Sequence, residues 1–82
     1  MGDSVPERVL AFVASQIVDE PEAVAIEADE SDGAVDLRLN VAPDDMGRVI
    51  GRRGRNAQAI RTIVRAAGAR AGVEASVDIV DD

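Results

Sequence analysis

Two stretches with a period of two, set on either side of an Asp-Gly pair, constrain this chain more than anything else in it. Val24, Ile26 and Ala28 alternate with Ala25 and Glu27, and Val35, Leu37, Leu39 and Val41 alternate with Asp36, Arg38 and Asn40. Successive side chains of a strand point to opposite faces, so each run predicts a strand with one apolar and one polar side. Between them Glu30-Ser31-Asp32-Gly33 reads as a tight turn, because Asp-Gly is a favoured hairpin pair. Strands joined so closely pair antiparallel, and a sheet apolar on one side needs helices to cover it. The acids of the polar side are expected simply to meet water.

The rest of the chain supplies those helices. Ser4 with Glu7 three residues later has the spacing of a capping box, and Pro6 is tolerated in a first turn. A helix is predicted from about Val5 to Val18, with Val5, Val9, Phe12, Val13 and Ile17 as its apolar stripe and Phe12, the single aromatic residue, as its core anchor. Pro21 ends it, since the residue before proline is pushed out of helical backbone. After the second strand, Ala42-Pro43-Asp44-Asp45 opens a short helix with an aspartate cap; Met46, Val49 and Ile50 form its buried side and Gly51 its end.

A longer helix then runs from after Gly54 to about Gly72, with Ala57, Ile60, Val64, Ala67 and Ala71 on one stripe. Gly68 inside it marks either a close contact or an early end. Glu74 to Val80 alternates Ala75, Val77 and Ile79 against Ser76 and Asp78, a third strand, and Asp81-Asp82 reads as a frayed acidic end. The order is α-β-β-α-α-β in one domain, residues 1–82. The economical fold is α+β, a two-layer sandwich with one layer of helices on a three-stranded sheet.

Composition bounds what such a fold can do. A chain of 82 residues can bury only roughly 60% of its unfolded surface, so its stability should be modest. It has no Cys and no His, which removes zinc sites, thiol chemistry and histidine acid–base catalysis. No cofactor or metal is expected. No apolar run reaches the roughly 20 residues of a membrane span, and Met1-Gly2-Asp3 does not open a signal peptide, so a soluble, cytoplasmic protein is expected.

The formal net charge of −7 argues at first against a polyanionic partner. Its distribution reverses that. Between Met46 and Val73 stand Arg48, Arg52, Arg53, Arg55, Arg61, Arg65 and Arg70 without one acid; outside that window the 16 acids face only Arg8 and Arg38. A local field attracts an anion whatever the net charge. The alternative, a solvated helix face that happens to be basic, would ordinarily intersperse acids.

At the centre of the basic window lies Gly51-Arg52-Arg53-Gly54, between the end of one helix and the start of the next. The start of a helix leaves backbone N–H groups unpaired and carries partial positive charge, which suits an anion. Glycines at 51 and 54 would let a phosphate backbone approach the main chain while Arg52 and Arg53 reach out to it. Such contacts position a nucleic acid without reading its sequence.

The longer string Val49-Ile50-Gly51-Arg52-Arg53-Gly54, with Ile60 six residues on and inside this order of elements, resembles the KH domain in its type II arrangement. Asp45 to Gly51 together with Arg55 to Thr62 look like the small stand-alone KH proteins of bacteria, and the resemblance covers roughly residues 4 to 80. It implies a loop that clamps about four nucleotides of single-stranded nucleic acid. On that resemblance Gly51, Arg52, Arg53 and Gly54 are the clamp, Arg48 and Arg55 flank it as phosphate contacts, and Val49 and Ile50 stand where KH domains place apolar groove residues, or serve as core. Arg61 lies farther along the helix, with Arg65, as a contact or a surface charge. A strand should supply backbone hydrogen bonds across the groove, and Leu37 to Leu39 is the stretch expected to do so. One departure is Ala57, where many KH domains carry a larger aliphatic residue.

The function this implies is non-catalytic binding of single-stranded RNA, in a chaperone, post-transcriptional or ribosome-related role. Single-stranded DNA is the variant reading. Modules that stack bases on aromatic residues are poorly served by a lone Phe12. A nucleotide hydrolase is excluded by the absence of Lys-Ser/Thr after the glycine loop. A KH fold used purely to dimerise or dock remains open: Ala59, Thr62, Ala66 and Ala69 form a small-residue strip on the long helix, suited to a homodimer. The resemblance also implies a larger KH-containing partner protein.

Overall fold

Ser4 opens the first helix as its spacing predicts, its hydroxyl accepting a hydrogen bond from the Glu7 backbone N–H at 3.2 Å. The structure, a computed structural model, describes residues 4–80, so the expectations for Met1–Asp3 and for Asp81-Asp82 lie outside the described residues. Six regular elements follow in the expected order: α1 (Val5–Ile17), β1 (Ala25–Ser31), β2 (Ala34–Asn40), α2 (Met46–Ile50), α3 (Arg55–Arg70) and β3 (Glu74–Ile79). Short 3-10 turns at Pro21–Ala23, Pro43–Asp45 and Arg52–Gly54 join them. Among the described residues no helix is long and apolar enough to cross a membrane.

The sheet order is β1-β2-β3. β1 pairs antiparallel with β2 around the Asp32-Gly33 turn, both of whose residues have positive φ. β3 returns after α3 to pair parallel with β2, which makes a mixed sheet with β2 at its centre. Register sorts the two faces. Val35, Leu37 and Leu39 stand opposite Ala75, Val77 and Ile79 and turn toward the helices, while Asp36, Arg38, Ser76 and Asp78 turn to solvent as expected. The core gathers those inner residues with Leu10, Ala14, Val18, Val49, Ile60 and Val64.

α1 departs from its predicted stripe. Phe12 is 65% exposed and Val5 41%, so Phe12 is not the core anchor. The buried row is Pro6, Leu10, Ala14 and Val18, each four residues from the last, with Val13 and Ile17 half-buried beside it. Apolar residues cover so wide an arc of this helix that two stripes fit the sequence, and packing on α3 selects the one centred on Leu10. Gly68 proves to be a close contact: a Cβ there would lie 2.8 Å from the Ala75 Cβ and 3.0 Å from the Val73 carbonyl oxygen. α3 can therefore sit low on β3.

Candidate nucleic-acid interface

The helix–loop–helix turn is built by three successive backbone devices. α2 ends when the Gly51 N–H donates to the Gly47 carbonyl at 2.8 Å and Gly51 adopts φ 76, ψ 172. That region is essentially restricted to glycine. Arg53 (φ 59, ψ 28) and Gly54 (φ 72, ψ 16) are both left-handed, and the Gly54 N–H closes the turn on the Gly51 carbonyl at 3.1 Å. α3 then begins at Arg55 with no side chain capping it, so first-turn N–H groups are presented to the loop.

The two glycines do different things. A Cβ on Gly51 would fall 2.7 Å from Asn56 Cγ and 2.9 Å from the Asn56 backbone nitrogen, whereas a Cβ on Gly54 would meet nothing within 4 Å. Asn56 also donates from Nδ2 to the Arg48 carbonyl at 2.7 Å, tying the start of α3 to α2. Gly51 is thus required by the loop itself. Gly54 leaves an open patch of main chain facing outward.

Arg52, Arg53 and Arg55 are exposed around that patch, and among the described residues none of them pairs with an acid. Arg48 differs. Its Nη2 lies 2.9 Å from Asp19 Oδ2 and its Nε 3.6 Å from Asp45 Oδ1, so its guanidinium is engaged at the α1–β1 connection. Val49 is completely buried in the core and Ile50 is half-buried. Arg61 is half-buried and donates from Nε to the Val77 carbonyl at 3.3 Å, away from the loop, and Arg65 is exposed on the same helix.

Asp45 is the residue whose part the sequence hides. It occupies the cap position of α2 without capping it. Its carboxylate, 1% exposed, instead accepts from the backbone N–H groups of Asp19 and Glu20 at 3.0 and 3.1 Å. Asp45, Arg48 and Asn56 form a chain of contacts from the α1–β1 connection to the glycine loop. Asn56 was also missed, although a short amide just inside a helix often bonds a nearby backbone group.

The choice of Leu37 to Leu39 as the groove strand is not supported by the topology. β2 is paired on both sides, so its backbone groups are taken up in the two ladders. The open edge beside α3 belongs to β3.

This arrangement, a helix–glycine loop–helix between β2 and β3 on a three-stranded sheet, defines a KH domain of the type II order. A family model described as KhpA/KhpB, KH domain, matches residues 7–79, and the chain belongs to that family. Its relatives include proteins named RNA-binding protein KhpA from Bacillus subtilis, 37% identical over 99% of this chain and 100% of that protein. The one from Listeria monocytogenes is 39% identical over 92% and 99%. The one from Caldanaerobacter subterraneus is 43% identical over 89% and 97%.

Proposed function

We propose that this chain is a non-catalytic, cytoplasmic protein that binds single-stranded RNA, with Gly51–Gly54 holding the phosphate backbone. The observation that carries the reading is the open main chain at Gly54, at the uncapped start of α3, ringed by Arg52, Arg53 and Arg55 without acid partners among the described residues. Unpaired N–H groups, the positive end of α3 and guanidinium groups together suit a phosphate diester. The relatives' name, RNA-binding protein KhpA, points the same way. Arg48 contributes through the loop's placement more than by reaching phosphate, since Asp19 and Asp45 hold it. The biological role that fits is RNA chaperoning or post-transcriptional control.

Binding of fluorescent single-stranded RNA and DNA pools to the wild type and to an Arg52→Asp/Arg53→Asp variant tests this. Loss of RNA binding with the circular-dichroism spectrum retained is expected. Unchanged affinity would refute the loop assignment, and a preference for the DNA pool would move the function to single-stranded DNA.

A second reading, self-association, is favoured by one observation. Ala59, Thr62, Ala66 and Ala69 are all exposed on α3, beside Ile63 at 45% exposure, while α1 exposes Phe12 at 65%. A homodimer through this helical layer covers apolar surface and doubles the number of loops, raising avidity without new RNA contacts. The same surface serves a larger KH-containing partner. Light scattering at high micromolar concentration should give a dimer mass that falls to the monomer in Ile63→Asp; a monomeric wild type would end this reading.

A further inference from the structure

Of the seven arginines in the acid-free window, Arg48 alone is paired with carboxylates among the described residues, and the acid that meets it most closely comes from elsewhere in the chain. Its Nη2 donates to Asp19 Oδ2, in the α1–β1 connection, at 2.9 Å, and its Nε lies 3.6 Å from Asp45 Oδ1. Asp19 is placed for this, because its own backbone N–H is fixed by Asp45 Oδ1 at 3.0 Å. Yet the pair is solvated, with the two side chains 54% and 69% exposed, and an exposed ion pair adds little to stability. Its larger effect is on where the guanidinium stands and on which of its edges are taken.

An arginine meets a phosphate best through a bidentate edge, either Nε with one terminal nitrogen or the two terminal nitrogens together. Asp45 engages the first edge through Nε, and Asp19 the second through Nη2. Neither is open. The side chain itself springs from close to the glycine loop. Arg48 is three residues before Gly51, about 4.5 Å along a helix that rises about 1.5 Å per residue, and its carbonyl accepts from Asn56 Nδ2, at the start of α3, at 2.7 Å. An extended arginine spans that distance. Asp19 therefore holds the place that a phosphate at the loop would take, an anionic oxygen on the same donor.

Resting on the RNA-binding reading above, we propose that Asp19 sets the affinity of the loop: it is a built-in competitor of phosphate, a carboxylate that occupies Arg48 and withholds a further guanidinium contact from the RNA backbone. Asp45 keeps Arg48 oriented through Nε, so removing the Asp19 carboxylate opens the edge formed by the two terminal nitrogens without releasing the side chain. Asp19 is a positioning residue and acts only through Arg48.

Anisotropy titrations of a labelled uridine decaribonucleotide over a range of salt concentrations, on the whole chain and on Asp19→Ala, Asp44→Ala and Asp19→Ala/Arg48→Ala, test it. Asp44 is exposed and has no ion-pair partner among the described residues, so its removal changes the net charge equally without touching Arg48. Asp19→Ala should steepen the slope of log K against log salt by about 0.7 and bind about fivefold more tightly at about 0.1 M salt, the effect of about one added phosphate contact. Asp44→Ala should keep the wild-type slope. The double variant should return to it, since the gain passes through Arg48. If circular dichroism shows Asp19→Ala unfolded, Asp19→Asn is read instead; a neutral amide holds a guanidinium less firmly than a carboxylate does, so affinity should still rise. An Asp19 variant that binds no more tightly than the wild type, a gain of the same size in Asp44→Ala, or a gain that survives Arg48→Ala overturns the proposal. A wild type and an Asp19 variant that both leave the RNA unbound overturn the RNA-binding reading itself, and this proposal with it.

Discussion

Gly51 and Gly54 look interchangeable in the sequence, and their surroundings separate them. At Gly51 an added methyl meets Asn56 at 2.7 Å in a backbone region that L-residues avoid, so Gly51→Ala combines overpacking with strain and should destabilise the fold by about 2–4 kcal/mol. At Gly54 the methyl has open space, and a left-handed alanine costs only about 1 kcal/mol. That same methyl stands on the main chain proposed to meet phosphate. Urea unfolding and RNA titration should therefore rank the pair in opposite ways: Gly51→Ala loses more stability, and Gly54→Ala loses binding while remaining folded. Equal effects on both properties would mean that the two glycines share one role. The spacing of the motif was legible because glycine and arginine betray their chemistry locally. The division of labour was not, since it depends on where the Asn56 side chain goes.

Among the elements, α1 and α2 are held together by one buried carboxylate at the end of a 3-10 turn. Asp45 satisfies two backbone N–H groups of the α1–β1 connection, and Asp45→Ala would leave both without a partner beside a cavity. Each hydrogen bond to a charged group contributes about 1.5–3 kcal/mol, so this variant should lose about 3 kcal/mol, a large share of a small domain's stability. Its signature is spatial: amide exchange should accelerate first at Asp19 and Glu20, and the loop should follow because Arg48 loses an anchor. Unchanged protection at those two amides would show that Asp45 is not the tether.

The strands were readable here and this tether was not, for a physical reason. Period-two patterning and the Asp32-Gly33 turn act within a few residues, whereas Asp45 and Asp19 are 26 residues apart and meet only after the fold forms. A helix whose apolar arc is wide enough to fit two stripes likewise left Phe12 on the wrong side. The parallel pairing of β2 and β3 depends on a crossover through two helices, which no local pattern states.

For the whole molecule, the question is how the proposed RNA binding is compatible with a net charge of −7. The exposed sheet face carries Glu27, Asp29, Asp36 and Asp78 around Arg38, which Glu27 pairs at 3.5 Å, and the helical ends carry the loop arginines. Exposed charges act over about 8 Å at physiological ionic strength, so the two regions are largely screened from one another. On the proposed reading, binding reports the loop and not the net charge. Salt dependence measures this directly, because each phosphate neutralised on a single strand contributes about −0.7 to the slope of log K against log salt. Arg52, Arg53 and Arg55, without acid partners among the described residues, should give a slope near about −2 by the same relation. Arg48→Ala should leave that slope unchanged, since its guanidinium is bound to Asp19 and Asp45, while lowering the urea midpoint. Arg53→Ala should reduce the slope by close to one contact with little effect on stability, because the exposed Arg53 side chain has no ion-pair partner among the described residues and alanine bears the same left-handed backbone. Neutralising Asp36 and Asp78 to asparagine should raise affinity slightly at low salt and leave the slope within one contact of the wild type. A slope that tracked net charge across these variants would mean that the molecule acts as a diffuse polyelectrolyte, and the loop would lose its standing as the binding site.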